Sequence, residues 1–509
     1  MPETSDTSGT MADKAAFQVI VLGPTGGPRE DCVTGILVRS TSTNWAPNSV
    51  VAVDAGTLLA GIVRLLERYI PECTNEQGII TSGPFQGLAL PCKTAQANGA
   101  HVFRELIGAI LITHPHLDHI SGLAINTPIL EAGNGPKPVA ALPSVLSAIK
   151  NHMFNDIIWP NLSDEDGGAG LLTYQRLVEG GNPRFGRGDS RGYVQACNGL
   201  LTKCLSISHG RCKQKYHPET GTHHRIGSTV FTDHQLMLPS RAISVDHTDA
   251  TSFYSPARSP CLVPSNFKEP VMATVESSVF FLRDHYSGCE IIVFGDVEPD
   301  SVSLETYNKR VWEAAAPKIA SGKLRAIFIE CSYNDSTDDS YLYGHMCPRH
   351  LVSELSALAH RVMDVQEMNM GVKKRKRELP GPTEIGGDQL SPRSKRNQSV
   401  SADSGKTPDP LVQARQPSGP FEIPQVPRVD IGGGADHADF LDKPDPETWV
   451  DSTPLPLTGL RIYIIHIKEN LDDGPHPGVQ ILKELRAHGE AAHLGCEFFI
   501  PNPAEEIWI

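Results

Sequence analysis

Six residues, His114-Pro115-His116-Leu117-Asp118-His119, put three imidazoles and a carboxylate directly behind an apolar run, Leu106 to Thr113. No other feature limits the fold so tightly. A run of that length reads as a buried strand, so the polar string is delivered at a strand end, where α/β sheets commonly build their sites. His114 and His116 are two apart, so on an extended backbone they leave on one face and can share a metal. Asp118 and His119 arrive as the chain turns and face a second ion. A surface loop that binds nothing is the ordinary reading of an isolated His-x-His pair. Four ligating groups in six residues at a strand end argue against it.

The surrounding pattern alternates strands with helices. Phe17 to Leu22 and Val33 to Val38 read as paired strands around the turn Gly23 to Pro28, and Val50 to Val53 is a third strand closing on Asp54. Leu58 to Tyr69 carries apolar residues at helical spacing, and Leu123 to Leu130 is a second helix. Such alternation predicts an α/β sandwich. Residues 1–14 read as a polar, disordered tail, and 15–367 as the first part of the folded domain. Within it, 211–276 is an irregular insertion. From 368 to 456 the chain is rich in Pro, Gly and Ser without a period, the texture of a disordered insertion. Folded texture resumes over 457–509, with a strand at Leu460 to Ile467 and a helix at Gly478 to His488.

Composition excludes several classes. With 59 acidic against 45 basic residues the net charge is −14, a poor match for a nucleic-acid polymer, whose binding needs clustered Lys and Arg. No stretch of about 18 apolar residues occurs, so no membrane span is expected. The eleven cysteines form no C-x-x-C pair and read as reduced thiols. The expected compartment is the cytoplasm, with the nucleus added if Lys373-Lys374-Arg375-Lys376-Arg377 is an import signal instead of a solvated charge cluster. Ser391 and Ser394 are candidate phosphorylation sites in that loop.

The H-x-H-x-D-H string resembles the metallo-β-lactamase superfamily, which implies an αββα sandwich with a one- or two-metal hydrolytic site between two sheets. Two further elements match the order such a chain requires. Ile291 to Phe294 is a strand ending in Gly295-Asp296, the superfamily's metal-bridging carboxylate, and Ile462 to Ile465 is a strand ending in His466, the last ligand of the second metal. The remaining histidine is His209, after Leu200 to Ser208, or His247, after Ala242 to Asp246; Gly210 after the former suits a tight turn. His217, His223, His224 and His234 are expected in solvent. Asp54 resembles the upstream acid that would support the ligand loop, though a turn-capping Asp reads almost as well.

The longer string Thr113 to Leu123, continuing Ala124-Ile125-Asn126-Thr127-Pro128, is similar to the signature of class II cyclic-nucleotide phosphodiesterases of the low-affinity fungal type. Val19-Ile20-Val21-Leu22-Gly23, Phe154 to Pro160, Gly295-Asp296-Val297-Glu298 and Leu342-Tyr343-Gly344-His345 agree with it. Ala124 and Thr127 depart from it, as does the expanded 211–276 region. The resemblance implies hydrolysis of 3′,5′-cyclic nucleotides to nucleoside 5′-monophosphates by a hydroxide shared between two divalent cations. His114, His116 and His209 would hold one ion, Asp118, His119 and His466 the other, and Asp296 would bridge. Imidazole without thiolate favours zinc, with manganese or iron as alternatives. Asp118, Glu330 and His345 are the catalytic candidates, the last two for protonating the departing O3′; a capping Glu330 and a surface His345 are the plainer alternative. Two rivals are a tRNA 3′-processing endonuclease of the same superfamily and a non-catalytic, metal-stabilised nucleotide-binding protein. The expected partner is a small cyclic nucleotide, and a homodimer is admissible. Preference between cyclic AMP and cyclic GMP is not written in the sequence.

Overall fold

Short apolar segments bounded by Gly, Pro, Asn and Asp supply the strands, and the computed structural model, which describes residues 15–133, 135–217, 222–227, 271–377 and 454–509, gathers them into two sheets. The first holds β1 (Phe17–Gly23), β2 (Gly35–Ser40), β3 (Val50–Val53), β4 (Ile107–Leu111), β5 (Lys137–Ala141) and β6 (Leu172–Arg176) in that order. The second holds β7 (Val194–Cys197), β8 (Leu200–His217), β9 (Thr222–Gly227), β10 (Val271–Asp284), β11 (Glu290–Phe294), β12 (Leu324–Glu330), β13 (Arg461–Ile465) and β14 (Glu497–Phe499). Its order is β14-β13-β12-β11-β10-β8-β7, with β9 on β8, and the last strand, β15 (Glu506–Trp508), returns to pair with β1 of the first sheet.

Strand periodicity sets the layers. In β10 to β13 alternate residues fall into two apolar clusters: Phe280, Val293, Phe328 and Ile465 join the strands of the first sheet, whereas Phe281, Ile292, Ile327 and Ile464 join the helices outside. A strand buried on both faces reads as a continuous apolar run, as these do. The outer cluster packs α5 (Tyr307–Ala320), α6 (Pro348–Arg377) and α7 (Pro477–Ala491) on the second sheet. Ile62, Leu65 and Leu66 of α1 (Leu59–Cys73) join the inner cluster from the other side. Each such buried side chain contributes about 1.5–3 kcal/mol. The result is the αββα sandwich that the resemblance implied.

Parallel pairing then places the chemistry. β3, β4, β5 and β6 run parallel to one another, and so do β11, β12, β13 and β14. Asp54 follows β3, the His114 string follows β4, Asp296 follows β11, Glu330 ends β12 and His466 follows β13. All sit at carboxyl ends of parallel strands, the edge at which open α/β sheets bind ligands.

Several boundaries differ from the sequence expectation. The helix expected at Leu123 to Leu130 is α3, Leu117–Asn126, followed by a 3-10 turn from Thr127 to Ala132. His116 is extended and already serves as its cap position, and Pro128, lacking an N–H, ends regular helix. Asp118 and His119 therefore stand in a helical first turn. Leu106 belongs to a π-helical turn before β4. The stretch 211–276 is not irregular throughout, since β8 continues to His217, β9 covers Thr222–Gly227 with His223 and His224 on it, and β10 begins at Val271. The helix expected over Pro348 to Leu358 runs on to Arg377 and carries the basic run of 373–377. Residues 1–14, Ala242 to Asp246, His234, His247, Ser391, Ser394 and nearly all of 378–456 lie outside the described residues.

Candidate metal centre

The ends of β4, β11 and β13 converge. After Leu111 the chain bends at Thr113, is extended at His116 and then enters α3, so the first two histidines project from the loop past the strand and the next two groups from a helical turn. Glycine permits the approach: a Cβ on Gly56 would lie 2.0 Å from the Asp118 carbonyl oxygen, and one on Gly26 would lie 2.5 Å from the ring of His466. Asp54 and His466 both have positive φ, 58° and 61°, an uncommon region for residues with a Cβ, held here by the surrounding contacts.

The carboxylate of Asp296 divides the cluster in two. Its Oδ2 lies 3.6 Å from Nε2 of His114 and 3.6 Å from Nε2 of His209, with His116 completing that half. Its Oδ1 lies 3.3 Å from Nε2 of His119 and 3.2 Å from Nε2 of His466, and Asp118 Oδ2 stands 3.2 Å from the same His466 nitrogen. His209 is thus beside His114 and His116.

Outer partners fix the rings. Asp54 accepts from the Thr113 backbone N–H and, at Oδ2, from Nδ1 of His119 and the Thr113 hydroxyl, each at 2.8 Å. Thr113 Oγ1 in turn stands 3.1 Å from Nδ1 of His114. Nδ1 of His209 donates to the Gly344 carbonyl at 2.9 Å, and Nδ1 of His466 lies 3.2 Å from Ser332 Oγ. With Nδ1 engaged, Nε2 is the free donor of a lone pair, the arrangement seen around metal-bound histidine. Two observations show that the residues fit a cation. Nε2 of His114 is buried without a hydrogen-bond partner among the described residues, and the Nε2 atoms of His119 and His466 face each other at 3.2 Å. Ring nitrogens gathered in this way around one carboxylate suit a divalent metal, which takes the place of the His119 proton.

The electrostatics separate the two halves. Burial pushes the pKa of His114, His209 and His116 down and does the same to His466. His119 is opposite: burial works against its charge, but the carboxylates of Asp296 and Asp54 outweigh it and raise the ring well above the ordinary value. Burial likewise opposes ionisation of Asp118, yet the His466 hydrogen bond and the neighbouring His119 hold its carboxyl well below the usual range.

Beside the Oδ2 half, Glu330 accepts from Nδ1 of His345 at 2.9 and 3.0 Å. Glu330 also accepts the Val297 N–H at 2.7 Å and the Ser332 hydroxyl at 2.5 Å. A carboxylate only accepts, so Nδ1 carries the hydrogen and Nε2 is left for proton exchange. Glu330 and His345 are both buried, against the plainer reading of a cap and a surface ring.

Three groups are not evident from the sequence: Thr113, Ser332 and Lys468. Each stands within two residues of a singled-out position, and that proximity is the available signal. Lys468 donates to the Gly26 carbonyl at 2.6 Å and lies 3.8 Å from Asp118 Oδ2.

Comparisons with known proteins agree with this geometry. The sequence pattern of the class-II cAMP phosphodiesterases matches residues 13–176 and 241–373, more than half of the chain. That match contains the His114 to His119 string, Asp296, Glu330 and His345; His209 and His466 fall outside it. The chain is 29% identical over 343 residues to the 3′,5′-cyclic-nucleotide phosphodiesterase of Schizosaccharomyces pombe, covering 67% of this chain and 75% of that one. It is 24% identical over 347 residues to the 3′,5′-cyclic-nucleotide phosphodiesterase of Aliivibrio fischeri, covering 68% and 77%, so relatives extend beyond fungi. Among solved structures, unliganded yeast PDE1 superposes with a TM-score of 0.57 at 20% identity, covering 97% of this chain and all of that one, which shows a shared fold.

Proposed function

The chain belongs to the class-II cAMP phosphodiesterases, and from that premise we propose how its own residues open a 3′,5′-cyclic nucleotide. It hydrolyses the cyclic phosphodiester to a nucleoside 5′-monophosphate: water oxygen bonds to phosphorus, the P–O3′ bond breaks, and O3′ takes up a proton. The observation that carries this reading is the division of Asp296, one oxygen toward each set of imidazoles.

His114, His116 and His209 would hold one ion and Asp118, His119 and His466 a second, with a carboxylate oxygen of Asp296 available to each set; the imidazole-rich, thiolate-free set favours zinc. Bound divalent ions supply Lewis-acid charge to the phosphoryl oxygens and lower the pKa of the attacking water. Asp118 is the carboxylate of the cluster that reaches solvent, its side chain 26% exposed against 3% for Asp296, and it accepts a hydrogen bond that orients that water. Glu330 accepts from Nδ1–H and fixes the His345 ring, so that its Nε2 side delivers the proton to O3′. Lys468, at the Asp118 side, attracts the phosphate anion.

Incubating the purified chain with cyclic AMP, cyclic GMP and a precursor tRNA, with and without chelator, tests this reading. Chelator-sensitive formation of nucleoside 5′-monophosphate is the expected result. Cleavage of the RNA alone, or no turnover, overturns it.

A further inference from the structure

One groove shares a wall with the metal centre. It encloses about 340 Å³, of the size that holds a small ligand, and runs from His116 between α4 (Pro143–His152) and the start of β10. Along α4 it is lined by Ser147, Ala148 and Asn151, which recur three and four residues apart and so share one face. Opposite stand Val275, buried, and Glu276. Short side chains on one wall, with Val275 and the Glu276 carboxylate on the other, leave a slot for a flat ring with a polar edge.

The polar groups define what kind of ring. Glu276 Oε1 accepts from the Ser206 hydroxyl at 2.8 Å, and Oε2 accepts from the Ser144 hydroxyl. The carboxylate is therefore anchored, and each oxygen keeps a further lone pair. A fixed negative charge repels a phosphate, so what meets it in a bound cyclic nucleotide is a hydrogen-bond donor, and beyond the sugar that donor is a base N–H. Asn151 adds an amide able to pair with a donor and acceptor side by side, as amides do with the edge of adenine. The phosphate belongs at the cations, and the sugar alone separates it from the base.

We propose that this groove is the nucleobase subsite: a purine lies between α4 and Val275, its amino group donates to Glu276, and Asn151 pairs with the ring edge. The inference rests on the cyclic-nucleotide reading above and assigns the residues that recognise the base.

The test uses the full chain, metal-loaded, with two substrates: cyclic AMP and bis(p-nitrophenyl) phosphate, an ester without a base. Glu276→Gln and Asn151→Ala are compared with the unaltered protein. For each variant, the ratio of kcat/KM for cyclic AMP to that for the ester is expected to drop about tenfold through KM, the size of a lost hydrogen bond to a charged or paired group. A ratio that stays the same in both variants overturns the subsite, whether activity on the two substrates is retained or falls in parallel. If the unaltered protein cleaves the ester and no cyclic nucleotide, the underlying reading falls and the subsite with it; if it cleaves cyclic AMP and the ratio does not move, the subsite alone falls.

Discussion

The two sides of Asp296 are built from different materials. On the Oδ2 side stand three imidazoles, all held neutral by burial. On the Oδ1 side stand two imidazoles, the ionised Asp118 and Lys468, with His119 kept charged between Asp54 and Asp296. One half presents free lone pairs to a cation. The other is already compensated by a proton that a cation must displace. A centre can thus be prepared for two ions by two routes, one through desolvation and one through a borrowed charge.

Asp296 is common to both halves, so its removal is the harshest way to break the comparison. Asp296→Ala is expected to leave the chain with almost no bound metal and to cut turnover by more than about 100-fold, beyond what loss of an outer partner costs. Metal analysis alongside kcat measures both. Next come single ligands from each half. His209→Ala and His466→Ala should each lose one of the two ions and retain the other, with a fall in turnover of about 100-fold; loss of both ions from either variant would show that the halves are not separable.

Outer partners give smaller effects and sharpen the contrast. Asp54→Asn withdraws the anion from His119 and should weaken the Oδ1 half about 10–100-fold in metal affinity, leaving the Oδ2 half nearly unchanged in a competition titration with a chromophoric chelator. Proton release is subtler still. At pH 7 calorimetry in buffers of different ionisation enthalpy should find close to one proton expelled when the Oδ1 half loads, from His119, and close to none for the Oδ2 half. The same shifts set the stability of the metal-free chain. The depressed rings of His114, His116, His209 and His466 favour the folded state as pH rises through about 6.5, whereas the raised ring of His119 favours it below that value and loses the contribution as pH climbs toward its folded pKa. Four against one, the metal-free Tm should rise between pH 5.5 and 7.5.

The sequence reveals most of the centre because its ligands come at the ends of apolar runs, and such runs are readable: β4, β11 and β13 each end in a short apolar stretch free of charge. The polar residues just past a strand end are less legible. His209 and His247 both come after plausible strands, and no local pattern states which one the fold brings to Asp296. The start of α3 reads as Leu123 instead of Leu117 because Pro115 and the polar string mask helical periodicity, although Asp118 suits a helix N-terminal turn. The strands inside 211–276 escape a periodicity reading since their polar, histidine-bearing sequence shows no apolar alternation. Ser332 and Thr113 act through hydroxyls alone, and hydroxyl residues occur everywhere, so only coordinates single them out.

Diffraction from crystals grown with metal, with data collected on either side of the metal absorption edge, addresses the division of Asp296 most directly. Two anomalous peaks should flank its carboxylate, one among His114, His116 and His209 and one among Asp118, His119 and His466. A single peak, or two that both lie on one side of that carboxylate, would contradict the account.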